Sequence, residues 1–293
     1  MVFYMKDKYT GREIAIFTDL HGLLYPTISI LEDIKKRGIN EIYSLGDNIG
    51  VGPNPRQVLD LLGEYGVKVI NGNSEEYSAL GIEPFKSYFN ITKIKSQEWT
   101  LNELTKEQIN TLKQNKHSYD LEVGGMKIGL CHFANDVRID FGNHSTWSYQ
   151  DSINFGIGNP NQQFYYTNSK EQLDLIKKRS EINSSQDKGF VSAKGDLLFS
   201  GKTVDYYDEI IQGHVHFKFL TEDIKSRIRT IRAAGMAYGS DPVDLASYII
   251  IKEKEIGYDV IEVLVPFDRY KMLKSINDST MPDKETIRKF TSR

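Results

Sequence analysis

The sequence predicts a mixed α/β fold (α+β in some schemes), and three observations carry that expectation. From Glu13 to Asn73 short apolar runs alternate with helix-period segments, the pattern of parallel strands joined by helical crossovers. The run "SYDLEVGGMKIGLCHF" then alternates around Gly124 and Gly125, as the two strands of a tight hairpin do. Strand signals return as "DEIIQGHVHF", "RIRTIRAAG", "ASYIIIKEK" and "YDVIEVLVPF", which read as a meander with short turns.

Each element has its own justification. "REIAIFTD" is a buried strand, and "TISILEDIKKRG" a helix stopped by Gly38. "NEIYSLGD" is a second strand, "PRQVLDLLGEYG" a helix stopped by Gly66, and "VKVINGN" a third strand. Residues 75–116 are polar and helix-prone, with "LTKEQINTLKQN" the clearest case. From 133 to about 166 periodicity fades among Asn, Gly, Ser and aromatic residues, and a charged helix candidate at 168–183 and a polar loop follow. The stretch of about 133–200 therefore reads as an insertion in a single domain of residues 1–293, with a polar C-terminal tail from about 274.

Composition narrows the function. The 293 residues are 39% hydrophobic and 26% charged, which supplies a sizeable core. A net charge of -3 gives no basic field to hold phosphates along a polynucleotide, so long nucleic acid is a poor partner. Cys131 is the only cysteine, which suits a reducing, cytoplasmic setting. The apolar runs are too short for a signal h-region or a membrane span.

Three strands of the first half end in potential metal ligands: "FTDLHG" with Asp19 and His21, "SLGDNIG" with Asp47, and "INGNSEE" with Asn73. The intervals of 28 and 26 residues match one strand plus a crossover helix, about 30 residues, and so place these groups at the carboxyl ends of neighbouring parallel strands. His132 closes another apolar strand, and "IQGHVHF" sets His214 and His216 two apart, the spacing of Asp19 and His21. Singly, each is more simply a turn former or a surface histidine. The ordered series D-x-H, G-D-x-x-G, G-N-x-E, strand-end His and G-H-x-H makes that joint explanation improbable.

With those motifs the sequence resembles the calcineurin-like metallophosphoesterase superfamily over the sheet-forming parts of residues 13–265, and "SLGDNIGVGPNPRQVLDLL" resembles its small bacterial phosphodiesterase branch, similar in layout to diadenosine polyphosphate and phosphodiester hydrolases. The resemblance implies a four-layer αββα sandwich of two mixed β-sheets with an inserted cap segment. It also implies one metal held by Asp19, His21, Asp47 and His216, and a second by Asp47, Asn73, His132 and His214, with Asp47 bridging. Mn or Fe is expected first, with Zn, Co or Ni also compatible with these ligands. Two such cations about 3.5 to 4 Å apart generate a hydroxide nucleophile near neutral pH. The expected activity is hydrolysis of phosphodiester or phosphoanhydride bonds in a small phosphorylated substrate, a nucleotide or dinucleoside polyphosphate being favoured. The alternatives are a phosphomonoesterase or protein phosphatase, or a non-catalytic metal-binding scaffold of the same fold.

Two departures bear on the chemistry. Strong monoesterases of the superfamily read G-N-H-[DE] at the third motif, where this chain has Ser74, a poor proton source for a leaving oxygen. Leu23 stands where a D-x-H-G-N pattern would offer an asparagine. Asn73 has two tasks open to it, metal binding through its oxygen and donation to a phosphate through its N–H, and Ser74 is a further candidate substrate contact. Arg138 is a weaker candidate for a phosphate contact, since solvation or pairing with Asp136 or Asp140 explains it as well. The aromatic residues Trp147 to Tyr166 read either as a lid or, more simply, as a satellite core beneath a long loop.

Overall fold

The computed structural model describes residues 8–83, 86, 89–116, 118–132, 190–191, 197–199, 202–203, 207–214, 216, 228–236 and 244–291. Two mixed sheets organise them. β1 (Tyr9–Phe17), β2 (Glu41–Ser44) and β3 (Lys68–Val69) run parallel, joined by helices α1 (Leu24–Lys36) and α2 (Pro55–Glu64). β11 (Leu245–Lys254) pairs antiparallel with β1, and β12 (Tyr258–Pro266) antiparallel with β11, giving the order β12-β11-β1-β2-β3. The second sheet has the order β10-β9-β5-β4, from β4 (Ser118–Val123), β5 (Met126–Cys131), β9 (Glu209–Gln212) and β10 (Ile228–Thr230).

Alternation along β1 divides the core. Ala15 and Phe17 face the helix side with Ile30, Leu31 and Ile34 of α1, while Ile14 and Ile16 face Ile128 and Leu130 of β5 and Ile211 of β9. β11 does the same, with Tyr248 and Ile250 on the helix side and Ile249 and Ile251 between the sheets. Each of the isoleucine, leucine and phenylalanine side chains among these contributes about 1.5 to 3 kcal/mol by leaving water. Helix, sheet and sheet are thus traced as successive layers by two apolar clusters.

The β4–β5 hairpin turns at Gly124 and Gly125, with φ of 56° and 76°, the left-handed pair that a two-residue turn requires. The expected meander is corrected. β9 runs parallel to both β5 and β10, whereas β11 crosses to the other sheet, so that of the four strands β9 to β12 only β11 and β12 form a hairpin. The reason lies in β11: Ala246 to Ile251 are all buried, so this strand needs neighbours on both edges and a layer on both faces.

Residues 73–114 form α3 (Asn73–Leu80), α4 (Ile91–Glu103) and α5 (Lys106–Gln114). α5 starts at a capping box in which the Gln108 N–H donates to Thr105 Oγ1 at 3.1 Å and the Thr105 N–H to Gln108 Oε1 at 3.0 Å. The polar stretch read as a tail from about 274 is instead helical, as α6 (Arg269–Asp278) and α7 (Lys284–Thr291). Ile276, Met281 and Ile287 of this stretch are buried with Met272 against the helix-side cluster. Within the expected insertion, β6 (Phe190–Val191), β7 (Leu197–Phe199) and β8 (Lys202–Thr203) pair antiparallel. The rest of 133–200, with its helix candidate at 168–183, lies outside the described residues. No described helix is long and apolar enough to cross a membrane.

Candidate metal centre

Five loops meet at the carboxyl ends of β1, β2, β3, β5 and β9, where open sheets place their ligands. The loop after β1 pairs its backbone with the loop after β2: Asp19 N–H donates to Gly46 O at 2.9 Å and His21 N–H to Asp47 O at 2.8 Å. Across the second sheet Gly213 N–H donates to His132 O at 2.9 Å. Among the described residues, the non-glycine positions with positive φ are Asp19 (57°), His21 (48°), Asp47 (51°), His214 (72°) and His216 (62°). Every one carries a candidate ligand. Such conformations persist where surrounding structure fixes them, and they cluster at functional sites. The glycines between them admit close approach. A Cβ on Gly72 would lie 2.4 Å from Asp47 Oδ1, and one on Gly213 only 1.9 Å from Thr18 Oγ1.

Two groups of potential ligands result, Asp19–His21–His216 and Asp47–His132–His214, the ligand atoms of each within 4.8 Å of one another. In the first, His216 Nε2 is 3.0 Å from His21 Nε2 and 3.1 Å from Asp19 Oδ1. In the second, His132 Nε2 is 3.0 Å from His214 Nδ1, 3.2 Å from Asn73 Oδ1 and 3.6 Å from Asp47 Oδ1. Asp47 lies between the groups, its other oxygen 3.9 Å from His21 Nε2.

The donor set fits a bound cation. Leu45 O, 2.8 Å from His132 Nδ1, can only accept, so Nδ1 carries the proton. In the neutral ring, Nε2 then presents a lone pair toward an amide oxygen and a carboxylate oxygen, an arrangement that a metal ion relieves. Asp19 Oδ1 and His21 Nδ1 are buried without a hydrogen-bond partner, although His216 Nε2 stands 3.1 Å from the former. Nitrogen and oxygen ligands of this kind suit divalent first-row metals.

Charge follows the same geometry. Burial raises the Asp19 carboxyl, but the imidazoles of His216, His132 and His21 outweigh it and hold the group ionised well below the usual carboxylate range. Asp47 is lowered against burial by His132 and His21. Burial pushes His21 down to about 4, helped by His216, and His214 down to about 3, helped by His132. His132 is raised despite burial because Asp47, Asp19 and Glu75 face it.

The structure brings together all seven residues expected as ligands, Asp19, His21, Asp47, Asn73, His132, His214 and His216. Ser74 is also there: its N–H donates to Asp47 Oδ1 at 2.8 Å, and its buried hydroxyl lacks a partner. Arg138 and the aromatic residues 147–166 lie outside the described residues. Glu75 was missed as a site residue. Its buried carboxylate accepts from the N–H groups of Asp47 (2.8 Å), Asn48 (2.7 Å) and Gly72 (2.8 Å), tying two ligand loops together. The signal was present as the acid of G-N-x-E, two residues after Asn73.

No protein-family model matches the chain. An uncharacterized protein of Methanocaldococcus jannaschii is 28% identical over 270 residues, 92% of this chain and 94% of that protein. The crystal structure of a hypothetical protein of Pyrococcus horikoshii is similar with a TM-score of 0.62 at 14% identity, covering 96% of this chain and 98% of that one. A metallophosphoesterase of Sphaerobacter thermophilus is similar with a TM-score of 0.54 at 15% identity, covering 94% and 96%. The chain therefore shares its fold with that metallophosphoesterase.

Proposed function

We propose that the protein is a dinuclear-metal phosphohydrolase that cleaves phosphodiester or phosphoanhydride bonds in small, nucleotide-like substrates. The observation that carries this reading is the pair of three-ligand groups with Asp47 between them, built on five left-handed backbone positions. Asp19, His21, Asp47 and His216 would hold one ion, and Asp47, Asn73, His132 and His214 the other, with Mn or Fe favoured. When bound, the ions supply Lewis-acid charge for the phosphoryl oxygens and activate water.

The remaining work falls to side chains. Leu45 O fixes the ring of His132, and Thr18 Oγ1 and the His214 N–H fix Asp19 by donating to its Oδ2 at 2.7 and 2.9 Å. The Asn73 amide can offer an N–H to a phosphate oxygen while its own oxygen faces His132. Ser74 supplies no acid, so leaving groups that are stable as anions, such as a nucleotide or an aryl oxide, are favoured over alkoxides.

The test is metal analysis of purified protein joined to a substrate panel with added Mn: dinucleoside polyphosphates, cyclic nucleotides, aryl diesters and phosphopeptides. Close to two ions per chain and turnover of an anhydride or diester are expected. A fully metallated protein inert on the whole panel would sink the reading.

A further inference from the structure

Beside the second ligand group lies a polar cluster that metal binding does not use. Gln97 of α4 is 2% exposed, yet neither Nε2 nor Oε1 has a hydrogen-bond partner. Ser74 is 1% exposed and its hydroxyl is likewise unsatisfied. Both face Gly50, where a Cβ would sit 2.9 Å from Ser74 Oγ and 3.6 Å from Gln97 Nε2. Buried polar atoms in that condition call for an absent partner.

Lys93 stands four residues before Gln97, on the same face of α4. Its Nζ lies 5.5 Å from the centroid of the Tyr77 ring of α3. Among the described residues it makes no side-chain hydrogen bond or ion pair. Burial depresses this ammonium, while the carboxylates of Asp47 and Asp283 oppose the effect. Asp47 is thus one of two carboxylates whose charge bears on Lys93.

We propose that Lys93 and Gln97, with the Ser74 hydroxyl, form a subsite for a second phosphoryl group, which makes phosphoanhydrides the preferred substrates over simple diesters. The subsite rests on the phosphohydrolase reading for its first phosphoryl group, which lies at the metal ligands. A cation, an amide N–H and a hydroxyl together match the charge and acceptors of a neighbouring phosphate. A simple diester has no such group to offer.

Calorimetry of the Mn-loaded protein, freed of excess metal, with methylenebisphosphonate and with methylphosphonate reads the subsite without turnover. Wild type is expected to prefer the bisphosphonate by at least about tenfold. Lys93→Met should cut bisphosphonate affinity by about tenfold to a hundredfold, Gln97→Leu by less, and Lys93→Arg should restore most of it. The ratio of kcat/KM for diadenosine tetraphosphate to that for a bis-aryl phosphate should fall with Lys93→Met. If Lys93→Met does not fold, Lys93→Gln and Gln97→Leu carry the same readings. No bisphosphonate preference in wild type, or a preference that survives Lys93→Met, overturns the subsite and leaves a buried water as the partner of Gln97. A preference that Lys93→Met abolishes, in a protein inert toward every substrate, would leave the subsite standing and defeat the phosphohydrolase reading.

Discussion

The two ligand groups are alike in composition, each with one carboxylate and two imidazoles, but they differ in what stands behind them. The second is braced: Leu45 O holds His132, and the Ser74 N–H holds Asp47, whose own N–H is clamped by Glu75. Among the described residues the first is held mainly through Asp19, whose Oδ2 accepts from Thr18 Oγ1 and the His214 N–H and whose Oδ1 faces His216 Nε2 at 3.1 Å, while His21 Nδ1 is buried without a hydrogen-bond partner. Supporting contacts orient ligands and raise metal affinity by about 10- to 100-fold. The second group is therefore expected to hold its ion more tightly, and a graded chelator titration followed by metal analysis should release the first group's ion first. Simultaneous release would break the comparison.

The largest effect is expected at the residue the groups share. Asp47→Ala should lower metal content at both positions and reduce turnover by more than the 10- to 100-fold or so of an outer-contact change. Full activity in that variant would end the dinuclear reading. Single replacements sharpen the contrast. His132→Ala should empty the braced group alone and His216→Ala the other, each leaving about one ion per chain by metal analysis.

Glu75→Ala comes next and acts on stability. It leaves the buried N–H groups of Asp47, Asn48 and Gly72 without their acceptor, and above about pH 7, where Glu75 is ionised, a hydrogen bond to a charged group contributes about 1.5 to 3 kcal/mol. A loss of about 3 kcal/mol or more in denaturant unfolding is expected, together with weaker metal retention at the second group. A near-neutral change would mean that water satisfies these donors and that the clamp does not position Asp47.

These contrasts were unequally legible in the sequence. Asp19, Asp47 and Asn73 were readable because each ends an apolar strand at crossover spacing, which put them on one rim, whereas their grouping with His21, His132, His214 and His216 around two ions came from the resemblance. The exchange of β11 into the first sheet was not readable, since "ASYIIIKEK" states only that a strand is buried on both faces and not which strands flank it. α6 and α7 were hidden by polarity: apolar residues as sparse as Met272, Ile276 and Ile287 gain their meaning only from the surface they cover. Glu75 was visible as a motif letter, but its role depends on backbone N–H groups brought from another loop. The same holds for Lys93 and Gln97, whose helix gives no periodic sign of the face it turns toward Ser74.

The smallest effect is the dependence of metal-free stability on pH, and it separates the groups by sign. His21 and His214 are held near 4 and 3 by burial and by the neighbouring imidazoles, against about 6.5 in an unfolded chain. Between about pH 4.5 and 6.5 the unfolded chain therefore binds two protons there that the folded one refuses. Glu75, pushed up to about 7 by burial and by Asp47, binds one proton in the folded state over the same range. The unfolded chain still binds more, so stability rises with pH up to about 6.5. Above that the sign reverses. Glu75 ionises in the folded protein, and His132, raised by the surrounding carboxylates, gives up a proton that the unfolded chain has already lost. Thermal melting in chelator should therefore peak near pH 6.5 or so. Metal binding needs these imidazoles neutral, so added Mn should stabilise more as pH rises and carry the peak above 7 or so. His21→Ala should flatten the acid limb and His132→Ala the alkaline limb. A metal-free profile that rises steadily through pH 8 in the wild type would show that neither Glu75 nor His132 keeps its proton in the folded protein, and that the bracing of the second group does not depend on its charge.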